Sequence, residues 1–183
     1  MFNSARISSE PPPIEHYVAR HYSHRDSMHG LDHVRRIARA AGWLLEHYPQ
    51  ADRDAVICAA YLHGLVEGQA EEAVKCLEQM EVSPKRRDLI FEIARQSHKE
   101  AKPDTLEAHI LRDAHLIEGG PTFHLVKCLV TGAERGQSLE RTIEIMERDI
   151  LGRFACHLPE AQMLYEEKER FAREALASIK AHI

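Results

Sequence analysis

Apolar residues recur at intervals of three and four along most of the chain, which is the pattern of amphipathic helices. The clearest stripe of apolar residues consists of Val34, Ile37, Ala41, Leu44, Leu45 and Tyr48. This spacing predicts a helix of about four to five turns, which Pro49 ends. Residues 51–63 carry apolar side chains on most of their surface and predict a helix that is packed on several sides.

Further helices are predicted over residues 14–22, 71–80, 84–98, 104–117, 123–134, 139–154 and 159–181. Ser83 precedes a proline as an N-cap, while Asp104 and Glu107 have the spacing of a capping box. No stretch shows the apolar–polar alternation of a strand. The sequence therefore predicts an all-α, single-domain helical bundle over residues 14–183, preceded by a mobile N-terminal lead-in over residues 1–13.

Composition narrows the classes of partner. The net charge is −5 with histidine neutral, so no basic field attracts a nucleic-acid polymer or an anionic membrane. No apolar run approaches the roughly 20 residues that span a bilayer, and no signal-peptide pattern is present. The four cysteines lie far apart in the sequence, which predicts reduced thiols. We expect a cytoplasmic protein, and nothing in the sequence indicates its oligomeric state.

Three segments carry candidate chemistry. His33 lies in Leu-Asp-His-Val-Arg-Arg-Ile, in the first turn of a predicted helix. His63 ends the apolar helix and is followed by Gly64, and Asp113 lies in Leu-Arg-Asp-Ala inside a later helix. In this order, the segments resemble the motifs of the HD superfamily of metal-dependent phosphohydrolases, in which an apolar helix ends in His-Asp. The resemblance extends over about residues 29–120 and implies the HD-type helical bundle.

The resemblance implies a metal centre that is one ligand short. His33, His63 and Asp113 correspond to ligands of a divalent transition metal, and such nitrogen and oxygen donors suit Mn, Fe, Co, Ni or Zn. Gly64 stands where the family has aspartate, so a charged ligand is missing. We therefore expect a weakly held metal, or none. Replacing Gly64 by aspartate is expected to strengthen metal binding.

The same resemblance suggests residues that act on a substrate. Glu67 matches an acid that in some HD hydrolases helps to position water, and it is the predicted catalytic residue. Arg35 and Arg36 follow the first ligand and are predicted to bind a phosphate by charge pairing. The implied substrate is a small phosphorylated molecule, such as a nucleotide or another phosphoester.

Other interpretations stay open. Histidines His29 and His98 are further candidates for the pocket, as is His115 at a position where relatives often have a second aspartate. Each is more simply interpreted as structural or exposed. The Gly64 substitution equally suits an inactive HD-like module that binds a ligand or a protein partner without turnover. A purely structural helical bundle is a third possibility, which leaves the three matching motifs unexplained.

Overall fold

The computed structural model describes residues 12–183, and helices make up most of that range. They are α1 (Pro13–Val18), α2 (Leu31–Leu44), α3 (Arg53–Leu62), α4 (Ala70–Gln79), α5 (Pro84–Arg95), α6 (Leu106–Ile117), α7 (Phe123–Glu134), α8 (Leu139–Ile145) and α9 (Pro159–Lys180). A 3-10 turn (Ala19–Tyr22) extends α1, and a π-helical turn (Met146–Ile150) extends α8. Residues 12–183 contain no strand, which confirms the all-α prediction. Most of the predicted lead-in, residues 1–11, lies outside the described residues.

The helix α2 is central to the larger hydrophobic core, because it packs against both α3 and α6. Helix α3 also packs against α5. The apolar stripe predicted for α2 is buried from Val34 to Leu45, whereas its last member, Tyr48, is half-buried. The Tyr48 hydroxyl donates to Glu160 of α9 at 2.7 Å, so the end of this stripe contacts the C-terminal helix.

A smaller apolar cluster lies beyond this core, between the α8 region and α9. Its buried members are Ile143, Met146, Leu151, Ala172 and Leu176. The long helix α9 therefore contacts both clusters, since Ala161 and Tyr165 near its start belong to the larger core.

The N-caps of two core helices are linked. Asp52 caps α3 by accepting a hydrogen bond from the Ala55 amide at 3.0 Å. The cap of α6 is Thr105, not the predicted Asp104, because the extended backbone at Thr105 brings its hydroxyl within 3.2 Å of the Ala108 amide. Glu107 makes no capping box and instead accepts a hydrogen bond from the Asp52 amide at 3.0 Å, which joins the starts of α3 and α6.

Two further predictions concern the cysteines and membrane-spanning segments. Cys58, Cys76, Cys128 and Cys156 are all free thiols, as their spacing predicted. Among the described residues, no helix combines the length and the apolar character needed to cross a membrane.

Candidate metal centre

Three histidines from three helices meet in the core. His33 lies in the first turn of α2, His63 directly follows α3, and His115 lies near the end of α6. Each offers one ligand atom, and these atoms all lie within 4.8 Å of one another. The ring centroids of His63 and His115 are 4.3 Å apart, while that of His33 is 5.6 Å from His63 and 5.4 Å from His115. The side chains are thus close enough to share one cation.

Hydrogen bonds at Nδ1 define the protonation of two rings. Nδ1–H of His33 donates to the Glu118 carboxylate at 2.7 Å, and Nδ1–H of His115 donates to the carbonyl oxygen of Ser97 at 3.1 Å. A carbonyl or an ionised carboxylate only accepts hydrogen bonds, so both protons are on Nδ1. The lone pair of each ring is consequently on Nε2, the nitrogen that remains for a ligand.

The third ring, that of His63, has the same tautomer. Its Nδ1 lies 2.6 Å from the hydroxyl oxygen of Ser97, and this hydroxyl donates to the carbonyl of Ala94 at 2.5 Å. Because the hydroxyl proton is used there, the Ser97 oxygen must accept from His63 Nδ1–H. Ser97 therefore orients two of the three histidines, one through its side chain and the other through its carbonyl.

The protein environment keeps all three rings neutral. Burial lowers the pKa of His33 to about 4, although the Glu118 carboxylate opposes that shift. Burial also holds the pKa values of His63 and His115 well below the usual range, and the neighbouring histidines add to the effect. Neutral imidazoles with free Nε2 lone pairs are the state that binds a metal without first releasing a proton.

The structure does not bring Asp113, a predicted ligand, into this group. Its carboxylate is fully buried and accepts hydrogen bonds from the backbone amides of His157 at 2.8 Å and Leu158 at 2.7 Å. Residues two positions apart on a helix point in nearly opposite directions. Asp113 thus ties α6 to the segment before α9, and His115 points toward His33 and His63.

A cavity of about 450 Å³ opens onto the histidine cluster. The residues that line it besides the three histidines are Tyr22, Arg25, Asp26, His29, Gly64, Glu67, His98, Lys99, Lys127 and Arg135. The predicted catalytic residue Glu67 is largely exposed at this cavity, and one of its carboxylate oxygens lies 3.0 Å from His98 Nε2. That distance suits an ion pair, but the angle is outside hydrogen-bond geometry.

Comparison with known proteins identifies the domain that contains the three histidines. A family model described as "HD domain" matches residues 30–118, a range that contains all three histidines. Residues 30–118 form an HD domain. The HD domain indicates the superfamily of metal-dependent phosphohydrolases, and the three histidines form a group that could hold a metal ion.

Solved structures similar to this HD protein share its fold. YpgQ from Bacillus subtilis, in complex with ADP, has a TM-score of 0.77 and 19% sequence identity, with 93% of this chain and 96% of that chain covered. A structural-genomics target from Lactobacillus plantarum has a TM-score of 0.75 and 17% identity, with 92% and 94% covered. No curated protein matches the chain in sequence.

Glu118 supports the centre of this HD domain and was missed by sequence reasoning. Its carboxylate is 3% exposed and accepts hydrogen bonds from His33 and Lys127, while Arg36 Nε lies 3.6 Å away. Burial alone would raise its pKa, but His33 and Lys127 outweigh burial and hold the pKa far below the usual value. The available signal was a carboxylate placed directly before Gly119 at the predicted end of a helix.

Lys168, on α9, holds the end of α6 from outside the matched HD region. Its buried amine donates to the carbonyl oxygens of Leu116 at 2.8 Å and Glu118 at 2.9 Å. The backbone on both sides of residue 117 is fixed by these bonds. Lys168 therefore positions the segment from which the Glu118 carboxylate reaches His33.

We expect Lys168→Met to remove a pH-dependent part of the stability. Burial lowers the pKa of Lys168 from 10.5 to about 7; Glu118 and Cys128 oppose this shift, and Lys99 and Lys127 add to it. Between about pH 7 and 10 the unfolded chain holds a proton that the folded chain lacks, so stability from this group rises with pH.

Urea unfolding of wild type and Lys168→Met at pH 7, 8 and 9 measures this effect. The wild-type advantage in free energy of unfolding should grow with pH, by up to about 1.4 kcal/mol per unit. Other titrating groups are common to both proteins and cancel in the difference. A difference that stays constant from pH 7 to 9 would contradict the prediction.

The two arginines predicted to bind phosphate do not line the cavity. Arg35 pairs with Glu15 at 2.5 Å and Asp32 at 2.9 Å. Arg36 donates to the carbonyl of Met28 and lies with its guanidinium 4.4 Å from the centroid of the Phe123 ring. Of the further candidates, His29 and His98 line the cavity, although neither belongs to the three-histidine group.

The glycine in place of the motif's aspartate has a structural role of its own. Gly64 is not among the glycines with positive φ, so its backbone does not exclude a side chain. A Cβ atom there would instead lie 3.1 Å from the Tyr22 ring and 3.4 Å from Arg25. The Tyr22 hydroxyl donates to the Tyr61 carbonyl at 2.8 Å, which holds the ring against the glycine.

Proposed function

We propose that this HD protein is a metal-dependent phosphohydrolase that acts on a nucleotide or another small phosphoester. The observation that carries the proposal is the convergence of three neutral imidazoles, His33, His63 and His115, beside a positively charged cavity. Imidazole donors suit Zn, Ni or Fe better than Mg or Ca. When bound, such an ion lowers the pKa of a coordinated water and polarises a phosphoryl oxygen.

The cavity lining supports an anionic substrate. Lysine and arginine contribute four side chains to it and acidic residues contribute two, although the whole chain has a net charge of −5. Lys127 is paired with Glu118, but Lys99 and Arg135 make no ion pair with any of residues 12–183. We assign phosphate binding to Lys99 and Arg135, which lie at the cavity, in place of Arg35 and Arg36.

Glu67 and His98 are the proposed proton-transfer pair. Their nearest atoms are 3.0 Å apart, so a rotation of the exposed Glu67 side chain would align carboxylate and imidazole for proton transfer. Both side chains line the cavity beside the histidine cluster. A positioned acid or base of this kind typically contributes about 10²–10⁴-fold to the rate. Glu67 is exposed enough to accept a proton from water or pass one to a leaving group.

The substrate class is supported by the relative in complex with ADP. YpgQ is similar to this chain over nearly its whole length, and its structure contains that nucleotide. The nucleotide would enter the described cavity with its phosphates toward the cationic side chains.

One experiment tests the function. Protein purified without chelator is assayed on a panel of nucleotides and other phosphoesters, with EDTA and then added Zn²⁺, Ni²⁺, Co²⁺ or Mn²⁺. We expect EDTA-sensitive hydrolysis that an added ion restores, and a fall of about 10²-fold in Glu67→Gln. Glu71→Gln, an exposed change on α4 away from the cavity, is the matched control.

An inactive binding module is the second candidate, and the missing carboxylate at Gly64 favours it. Three neutral ligands leave the ion's charge less compensated than a set with aspartates. Stoichiometric metal and saturable phosphate binding without turnover in any ion would identify the module. Absence of both metal binding and turnover would contradict both functions.

A further inference from the structure

Arg25 lies next to the glycine that replaces the motif's aspartate. Its Nη2 donates to the carbonyl oxygen of Gly64 at 2.5 Å, and its Cζ is 5.4 Å from the centroid of the Tyr22 ring. A Cβ at residue 64 would come within 3.4 Å of Arg25 Nη1. Gly64 thus leaves this face of the backbone open, and the guanidinium lies against it at the edge of the cavity, which His63 also lines.

We infer that Arg25 is a phosphate-binding residue whose position depends on Gly64, and that it makes the cavity select ligands with more than one phosphate group. The inference rests on the proposed function in taking the cavity as the phosphate site. Where an aspartate would have offered a negative charge to a metal, this chain offers a positive charge to the ligand.

Arg25 is available for a ligand. The Gly64 carbonyl is its one hydrogen-bond acceptor among the described residues, so most of its five N–H groups are free. The two acidic side chains of the cavity do not pair with it: Asp26 accepts from the Met28 and His29 amides, and Glu67 faces His98. The hydrogen bond to Gly64 and the Tyr22 ring restrict the guanidinium, which lowers the entropy lost on binding.

The charge of the lining indicates more than one phosphate. The lining has four cationic side chains and two carboxylates, and Glu118 compensates Lys127, so an excess of one positive charge remains before any divalent ion is counted. A single phosphate group carries about −1.5 to −2 and leaves the ion's charge uncompensated. A second phosphate group compensates the remaining positive charge. The planar guanidinium of Arg25 can donate several hydrogen bonds to this group at the edge of the cavity next to Gly64.

Calorimetric titration with inorganic phosphate and with pyrophosphate tests the inference without using turnover. The metal content of each protein is measured in parallel. We expect wild type to prefer pyrophosphate by at least about tenfold, the value of one charge-assisted hydrogen bond. In Arg25→Gln this preference should fall to about threefold or less, with the metal content unchanged. Arg20→Gln, which removes the same charge from an exposed arginine outside the cavity, should keep the wild-type preference.

The dependence on Gly64 is tested by a double-mutant cycle. Gly64→Ala places a methyl group 3.1 Å from the Tyr22 ring and 3.4 Å from Arg25, so it should shift the guanidinium and lower the pyrophosphate preference by less than Arg25→Gln does. The double variant should show no loss beyond that of Arg25→Gln, because the alanine acts on the ligand only through Arg25. Circular dichroism and the metal content distinguish this result from misfolding, and Arg25→Lys should retain part of the preference.

Three results would overturn the inference. The first is a pyrophosphate preference that survives Arg25→Gln, and the second is an equal loss in Arg20→Gln, which would assign the effect to bulk charge. The third is wild-type protein that binds neither anion. If the pyrophosphate preference depends on Arg25 but the protein hydrolyses no phosphoester, the inference is supported and only the proposed enzymatic activity is contradicted.

Discussion

Replacing His115 by alanine is expected to remove stoichiometric metal binding, whereas replacing Asp113 by asparagine is expected to preserve it. His115 is one of three side chains whose ligand atoms lie within 4.8 Å, and Asp113 is bound to the His157 and Leu158 amides instead. Losing even an outer partner of a metal ligand costs about 10–100-fold in affinity. Loss of the ligand itself should cost more than about 10²-fold.

Competition titration with a zinc indicator measures this difference. His115→Asp should recover part of the affinity, because a carboxylate at this position again offers a ligand atom toward His33 and His63. His24→Ala, an exposed histidine outside the cavity lining, is the control for nonspecific binding by histidine.

Asp113→Asn should have a structural effect instead. An asparagine lacks the charge that strengthens the two backbone hydrogen bonds, so we expect a loss of about 1–3 kcal/mol in the free energy of unfolding. If Asp113→Asn abolished zinc binding and His115→Ala did not, the sequence-based assignment of Asp113 would be correct.

Glu118→Gln is expected to have the largest effect on stability. The change removes the negative charge that both Lys127 and Arg36 approach. These two side chains are largely buried, since Lys127 is 13% exposed and Arg36 is 16% exposed. Breaking a buried ion pair by removing one partner typically costs about 3–5 kcal/mol. The amide also accepts more weakly from His33 Nδ1–H, so metal affinity should fall by about 10–100-fold.

Chemical denaturation of metal-free protein separates the two effects of Glu118. In a Glu118→Gln, Lys127→Met double variant, much of the stability should return, because the uncompensated ammonium is gone. Its metal affinity should remain low, since His33 still lacks a carboxylate partner. A Glu118→Gln protein as stable as wild type would show that the carboxylate is not the counter-charge of this cluster.

Periodicity was sufficient to predict the helices, because the apolar stripe of α2 and the largely apolar surface of α3 reflect local spacing alone. It also placed His33 and His63 correctly at the start of α2 and the end of α3, where both reach the same centre. Whether Asp113 or His115 faces the other two histidines depends on the rotation of α6 about its axis, and the sequence motif did not determine that rotation. A shift of two residues reverses the face of the helix.

The remaining parts of the site depend on tertiary contacts between distant segments. Arg25 approaches Gly64 across 39 positions in the sequence, and Glu118 contacts His33 across 85. No local pattern indicates which arginine or glutamate will be chosen at such separations. The contact of Gly64 with Tyr22 joins residues 42 positions apart, so no local pattern indicated that packing would restrict a side chain there.

The Lys168 contact sets a lower limit on the length of chain that carries an intact centre. A fragment that ended at residue 118 would contain every motif by which the domain is recognised, including all three histidines. It would lack the amine that holds the carbonyls of Leu116 and Glu118, and it would expose the core face that α9 covers. The segment matched by the family model is thus shorter than the set of residues that supports the centre, and boundaries drawn from motifs alone would divide the centre from its support.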